Sequence, residues 1–183
     1  MEKIIFLDRD GTINIEKNYL YRVEDFEFEV GVIEALSIFQ ERGFKIIIIT
    51  NQSGIARGYY TENDLNILNQ YLINLLKEKN IIIDGIYYCP HHTSGIEKYN
   101  VDCKCRKPNI GLIDKAQKKY EIDFFNSYFV GDKISDLEVA IQLGMKPILV
   151  ETGNGKKEKN KIYFKANIYE NLLEFAQKIK TIT

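Results

Sequence analysis

Apolar residues along this chain recur in two rhythms. Short unbroken runs such as Ile4-Ile5-Phe6-Leu7 and Phe44 to Ile49 read as strands buried on both faces. Between such runs the spacing changes to three and four. Val32, Ala35, Leu36 and Phe39 form one apolar face, and Leu65, Leu68, Leu72, Leu75 and Leu76 another, as amphipathic helices require. The pattern predicts strands over 3–7, 44–49, 81–88 (interrupted at Asp84-Gly85), 128–130 and 147–150, with a last edge strand at Tyr163-Phe164. It predicts helices over 31–42, from a Thr61 cap with Asp64 in the capping-box position, from Pro108 to about Tyr120, over 137–143, and along Leu172 to Ile179. Gly43 stops the first helix, and the charged stretch Lys156 to Lys161 reads as a solvated loop. Strand and helix alternate throughout. That order predicts an α/β fold, a doubly wound Rossmann-like parallel sheet with helices on both faces, as a single domain over residues 1–183.

Charge narrows the function classes. There are 25 basic and 26 acidic residues, a net charge of −1, which argues against a protein built to grip nucleic acid. The apolar run after Met1-Glu2-Lys3 is too short for a secretory signal, and no stretch approaches the roughly 20 residues of a membrane span. A cytoplasmic protein is expected. Its three cysteines, Cys89, Cys103 and Cys105, are then better candidates for metal ligands than for disulfides.

The chemistry gathers where the predicted strands end. The first ends in Asp8-Arg9-Asp10-Gly11-Thr12, the second in Thr50-Asn51-Gln52-Ser53-Gly54, the fourth in Gly131-Asp132-Lys133 with Asp136 beyond. Lys107 precedes Pro108 at a predicted helix start. In a parallel sheet these ends share one edge, where ligands bind. Mg²⁺ prefers oxygen ligands and takes one or two carboxylates, which Asp8 and Asp132 can supply. Lys107 and the Thr50 hydroxyl can stabilise a phosphoryl group in transfer. An aspartate can attack phosphorus, and a second one, Asp10, can protonate the leaving oxygen and later activate water. Asp136 reads equally as a helix cap. The loop from Gly11 to Val30 is unusually long, and loops of that length often carry function.

Cys89-Pro90-His91-His92 and Cys103-Lys104-Cys105 lie in one polar stretch of 17 residues. Cys89, His91, Cys103 and Cys105 match a closed, tetrahedral, structural zinc site, about 89–105. His92 is left as a substrate-side or surface histidine. The second cysteine pair leads directly into Arg106-Lys107, so the metal would aim the phosphate-binding lysine.

Asp8-x-Asp10-Gly11-Thr12, Thr50-Asn51, Lys107-Pro108 and Gly131-Asp132-x-x-x-Asp136 appear in the order of the haloacid dehalogenase-like (HAD) phosphatases, which the chain resembles from residue 4 to about 150. With its zinc loop it is most similar to the heptose bisphosphate phosphatases of bacterial heptose biosynthesis. That resemblance implies hydrolysis of the 7-phosphate of D-glycero-D-manno-heptose 1,7-bisphosphate through an aspartyl-phosphate. It implies Asp8 as nucleophile, Asp10 as acid/base, Mg²⁺ on Asp8, Asp132 and the Asp10 carbonyl, and Thr50 and Lys107 on the transferring phosphate. Arg106 and Lys133 are expected to reach the rest of the substrate. Asn51, Gln52 and Ser53 are expected to contact phosphate or sugar hydroxyls. Glu16, Lys17, Asn18 and Tyr19 are expected to close over the sugar, and Arg57 reads as a substrate contact or a solvated charge. No long insertion follows the first motif or separates the second from the third, so the fold is expected to be capless and the protein a monomer. The alternatives are a histidinol-phosphate phosphatase, which shares the Cys-Pro-His and Cys-x-Cys-Arg-Lys-Pro elements, a zinc-stabilised nucleic-acid-binding module, and a phosphatase of DNA 3′-phosphate ends. Eleven residues separate His91 from Cys103, a longer zinc loop than the histidinol enzymes carry.

Overall fold

A computed structural model describes residues 1–179. Six strands, β1 (Ile4–Leu7), β2 (Lys45–Asn51), β3 (Gly85–Cys89), β4 (Tyr128–Gly131), β5 (Lys146–Val150) and β6 (Asn167–Tyr169), form one parallel sheet in the order β3-β2-β1-β4-β5-β6. The order reverses at β1, which pairs with β2 on one side and β4 on the other. Such a reversal opens a crevice at the strand ends.

Alternate residues feed the two faces. Ile5, Leu7, Ile46 and Ile48 pack under α1 (Val32–Glu41), α3 (Glu62–Lys77) and α7 (Leu172–Lys178). Ile4, Phe6, Ile47, Ile49 and Phe129 pack under α4 (Gly111–Gln117) and α5 (Ile134–Leu143). Burying each such side chain contributes about 1.5–3 kcal/mol. Two short helices are also present, α2 (Ser53–Ala56), mostly buried, and α6 (Gly155–Glu158), mostly at the surface. Gly43 ends α1 at φ 81°, and the capping box forms as predicted, Asp64 N donating to Thr61 and Thr61 N to Asp64. Among the described residues no helix is long and apolar enough to cross a membrane.

Four sequence expectations are corrected. The third strand is Gly85–Cys89: Asp84 meets β2 at one residue, its N–H donating to Ile46 O and its carboxylate accepting from the Ile46 N–H and the Lys45 ammonium. Pro108 lies in a turn, not in a helix: Asn109 N bonds Arg106 O and Gly111 N bonds Lys104 O, so α4 starts at Gly111. The edge strand is Asn167–Tyr169, whereas Tyr163 is exposed and donates to Glu138. Residues 155–161 are helical, α6 and a single 3-10 turn, held by ion pairs such as Lys161–Glu158 rather than by an apolar face.

The long first loop is organised too. Ile15 N bonds Glu27 O and Glu29 N bonds Ile13 O, so its two arms pair and residues 16–26 project as a flap. Phe26 packs edge-on to Phe28 and Tyr71, seating the flap on α3. Among the described residues, only the flap lies between β1 and α1, and only α2 and α3 lie between β2 and β3.

Candidate active site

The crevice between the ends of β1 and β4 holds the charge. Asp8 follows β1, its N–H bonded to Val130 O at 3.0 Å. Gly11 then turns at φ 83°, and a side chain there would collide with the Asp132 carboxylate. Asp8, Asp132 and Asp136 each present an oxygen within 4.8 Å of the others. Asp132 Oδ2 accepts from Asn154 N at 2.8 Å and Asn154 Nδ2 at 2.9 Å, while its buried Oδ1 has no partner. Burial and then the Asp8 charge push the Asp132 carboxyl up to about 7. Crowded carboxylates with an orphaned oxygen fit a hard divalent cation, whose charge would relieve both costs.

Lys107 crosses into this cluster. Its ammonium donates to Asp8 Oδ1 at 2.9 Å and Ile49 O at 2.7 Å and pairs with Asp136 at 2.5 Å. Burial would lower its pKa, but Asp136 and Asp8 outweigh burial and raise it, so the lysine keeps its charge. Asp136 also accepts the Lys133 N–H at the start of α5. It is therefore both helix cap and lysine partner. Asn51 holds the Lys107 backbone from both sides, accepting its N–H at 3.0 Å and donating to its carbonyl at 3.2 Å.

Asp10 is held differently. Burial would raise its pKa, but the Arg9 charge and hydrogen bonds from Asn14, Arg9 and Gln52 hold it below the usual carboxylate range. Arg9 is fully buried, and its NH2 lies 3.0 Å from both Asp10 oxygens. The sequence reading missed Arg9 as a partner, although its place between two aspartates was the available signal. Asn154 carried no signal at all.

Above these groups lies a cavity of about 500 Å³, lined by Asp8, Asp10, Glu16, Asn18, Tyr19, Asn51, Gln52, Ser53, Arg106, Lys107 and Lys133 among others. Thr50 is buried beside it, its hydroxyl accepting from Gln52 at 2.9 Å. Lys133 pairs with Glu16 of the flap at 3.6 Å. Lys17 is not brought in: it points away to Glu27 at 2.7 Å. Arg57 and His92 also lie outside the lining, with Arg57 over the Tyr19 ring and His92 accepting from Ser94 N. Asn18 and Tyr19 have φ of 52° and 71°, an unfavourable conformation held at the cavity rim.

The second cluster lies beyond β3. Cys89, His91, Cys103 and Cys105 converge, with sulfur separations of 2.9, 3.2 and 3.4 Å and His91 Nδ1 3.3 Å from Cys105. One imidazole and three thiols fit a tetrahedral thiophilic cation. Tyr88 and Tyr99 both donate to Glu62, at 2.6 and 2.8 Å, and tie this loop to α3.

Residues 104–175 match the HAD-hydrolase-like family. The chain is 46% identical over 154 residues to the D-glycero-beta-D-manno-heptose-1,7-bisphosphate 7-phosphatase of Haemophilus influenzae, covering 84% of each protein. The chain belongs to the heptose-bisphosphate phosphatase family of HAD-like hydrolases. It is 48% identical to the D-glycero-alpha-D-manno-heptose-1,7-bisphosphate 7-phosphatase of Photorhabdus laumondii, covering 85% of this chain and 86% of that one. Its fold superposes on the D,D-heptose 1,7-bisphosphate phosphatase of B. bronchiseptica, complexed with magnesium and phosphate, with a TM-score of 0.86, 30% identity and coverage of 96% and 97%. Membership in this family makes the chain a phosphoric monoester hydrolase.

Proposed function

We propose that this phosphatase removes the 7-phosphate of D-glycero-D-manno-heptose 1,7-bisphosphate and leaves the 1-phosphate in place. The product, heptose 1-phosphate, suits nucleotide activation for lipopolysaccharide or surface polysaccharide. The observation that carries this reading is the distribution of cations in one cavity. Lys107 donates to Asp8, while Arg106 and Lys133 also line the cavity, Lys133 lying 3.6 Å from Glu16 of the flap. One cation serves the phosphate that is cleaved, and two remain for a phosphate that is bound but kept.

In the reaction Asp10, ionised in the free enzyme by Arg9, Asn14 and Gln52, takes up a proton from solvent as the anionic bisphosphate binds beside it. Asp8 attacks phosphorus as the bond to the sugar oxygen breaks, and Asp10 passes that proton to the leaving oxygen. The Asp10 carboxylate then takes a proton from water as the water oxygen bonds to phosphorus and the bond to Asp8 breaks, releasing inorganic phosphate. Lys107 and Thr50 hold the phosphoryl oxygens. Mg²⁺ held by Asp8, Asp132 and the Asp10 carbonyl would offset the charge of the transferring group. Zn²⁺ on Cys89, His91, Cys103 and Cys105 would be structural, since four protein ligands leave no open position. We place this activity in one domain over 1–183, acting as a cytoplasmic monomer, because every proposed site residue comes from one chain.

The relatives' names carry both anomers, so the test offers both, with Mg²⁺, beside histidinol phosphate. Phosphorus NMR of the product identifies the phosphate that left. Release from the bisphosphate with the 1-phosphate retained supports the proposal. Faster release from histidinol phosphate overturns it.

A further inference from the structure

The Gln52 amide is held by the protein on both sides. It is 3% exposed, and its Nε2 donates to Asp10 Oδ2 at 2.8 Å and to Thr50 Oγ1 at 2.9 Å. Its Oε1 accepts from the Tyr60 hydroxyl at 2.5 Å and from Arg9 at 3.4 Å. Both amide donors are engaged, and the oxygen is capped by Tyr60, with Arg9 Nη2 dividing its two hydrogens among Asp10, Leu20 O and this oxygen. Gln52 lines the cavity, yet its amide is engaged mainly with the protein itself.

Tyr60 decides which way that amide faces. Its residue is 6% exposed, and Gln52 is the one acceptor for its hydroxyl among the described residues. Burial raises its pKa, so the hydroxyl stays protonated and donates. A donor on one side puts the amide oxygen there and the amide nitrogen toward Asp10 and Thr50. The reversed amide would set oxygen against a carboxylate. The Tyr60 ring fills space that only a glycine leaves, because a side chain at Gly54 would collide with it. The ring also stacks on Tyr21 of the flap, with centroids 5.2 Å apart and planes 11° apart.

We propose that Tyr60 is a positioning residue that acts through Gln52 to fix the Asp10 carboxylate and the Thr50 hydroxyl together, with its stack on Tyr21 tying that arrangement to the flap. It rests on the reading of Asp10 as acid/base given above. If it holds, the hydroxyl matters most where the leaving group needs a proton. A sugar alkoxide needs one, and an aryl oxide scarcely does.

The test is Tyr60→Phe, which keeps the stack and removes the hydroxyl. The readout is kcat/KM with heptose 1,7-bisphosphate and with 4-nitrophenyl phosphate, because that ratio reports the steps through leaving-group release. Loss of one hydrogen bond that orders the acid predicts a fall of about tenfold for the sugar ester and several-fold less for the aryl ester. Gln52→Met should repeat the pattern, which keeps the test decisive if Tyr60→Phe melts early. Equal losses on both esters, or none on either, overturn the proposal. Asp10→Asn, run in parallel, separates the two claims. A selective loss there with none for Tyr60→Phe removes only the positioning role, whereas an equal loss for Asp10→Asn removes the acid reading beneath it.

Discussion

The two polar clusters of this protein are built on opposite plans. The carboxylate cluster is drawn from the ends of β1 and β4 and the start of α5, so the sheet fixes its positions. It gathers like charges, leaves Asp132 Oδ1 without a partner, and opens onto the cavity. The cysteine cluster takes three of its four donors from outside the strands, and its donors face one another. One is rigid, charged and unsatisfied, which suits a site where substrate completes the coordination. The other turns four donors on one point and would leave a bound ion no open position. Lys107 joins them, standing two residues after Cys105 with its ammonium on Asp8.

The sharpest way to break the comparison is to remove a group from each cluster. Asp8→Asn should lower Mg²⁺-dependent phosphate release about 10⁴-fold or more, because an amide cannot attack phosphorus as the carboxylate does. Circular dichroism should show the fold intact, since the strand does not depend on that charge. Activity above that level would remove Asp8 as nucleophile. Cys105→Ser should do the reverse and strike stability first. We expect loss of bound zinc by mass spectrometry and a fall of about 3 kcal/mol, or about 10 °C in Tm. Unchanged Tm with lost activity would mean that the cluster is not structural.

Smaller effects sharpen the division of labour among the cations. Arg106→Ala should raise KM for the bisphosphate about tenfold or more with little change in kcat, as expected for a group that binds a phosphate not being cleaved. A matching fall in kcat would place Arg106 on the reacting phosphate instead. The smallest effect is a pH dependence. The Asp132 pKa in the folded chain without metal is raised to about 7 from 3.8. The folded state then binds the proton more tightly than the unfolded one, so this group's contribution is full at low pH and lost as pH rises through about 7. With Mg²⁺ chelated, Tm should rise by a few degrees as pH drops from about 8 to about 6, relative to Asp132→Asn at the same pH values. Identical pH profiles for the two proteins would mean that Asp132 is not strained by its neighbours.

The sequence made the sheet and the carboxylates legible for one physical reason. Residues such as Ile46 to Ile49 are buried on both faces, so they read as an unbroken run, and Asp8 and Asp132 stand at the ends of such runs. The cysteines were legible by chemistry, not periodicity. What stayed hidden lacked either signal. The α6 turn has charged residues on every side, and β6 is mostly exposed. Gln52 and Tyr60 form their partnership only after β2 and the loop before α3 fold together, and Lys17 turns outward because Glu27 comes within reach when the flap arms pair. No local pattern encodes such meetings.

The flap has a consequence for engineering. Its arms leave and return through one paired point, Ile13 to Ile15 against Glu27 to Glu29, so the cost of closing the loop is met at its base and not along its length. Within residues 16–26 the rim positions Asn18 and Tyr19 are thus the replaceable part, held at a fixed mouth by the Leu20, Tyr21 and Phe26 contacts. A library that varies the rim positions Asn18 and Tyr19 and keeps Glu16, Leu20, Tyr21 and Phe26 can explore new sugar esters while leaving the contacts to Lys133, Arg9, Tyr60 and α3 in place.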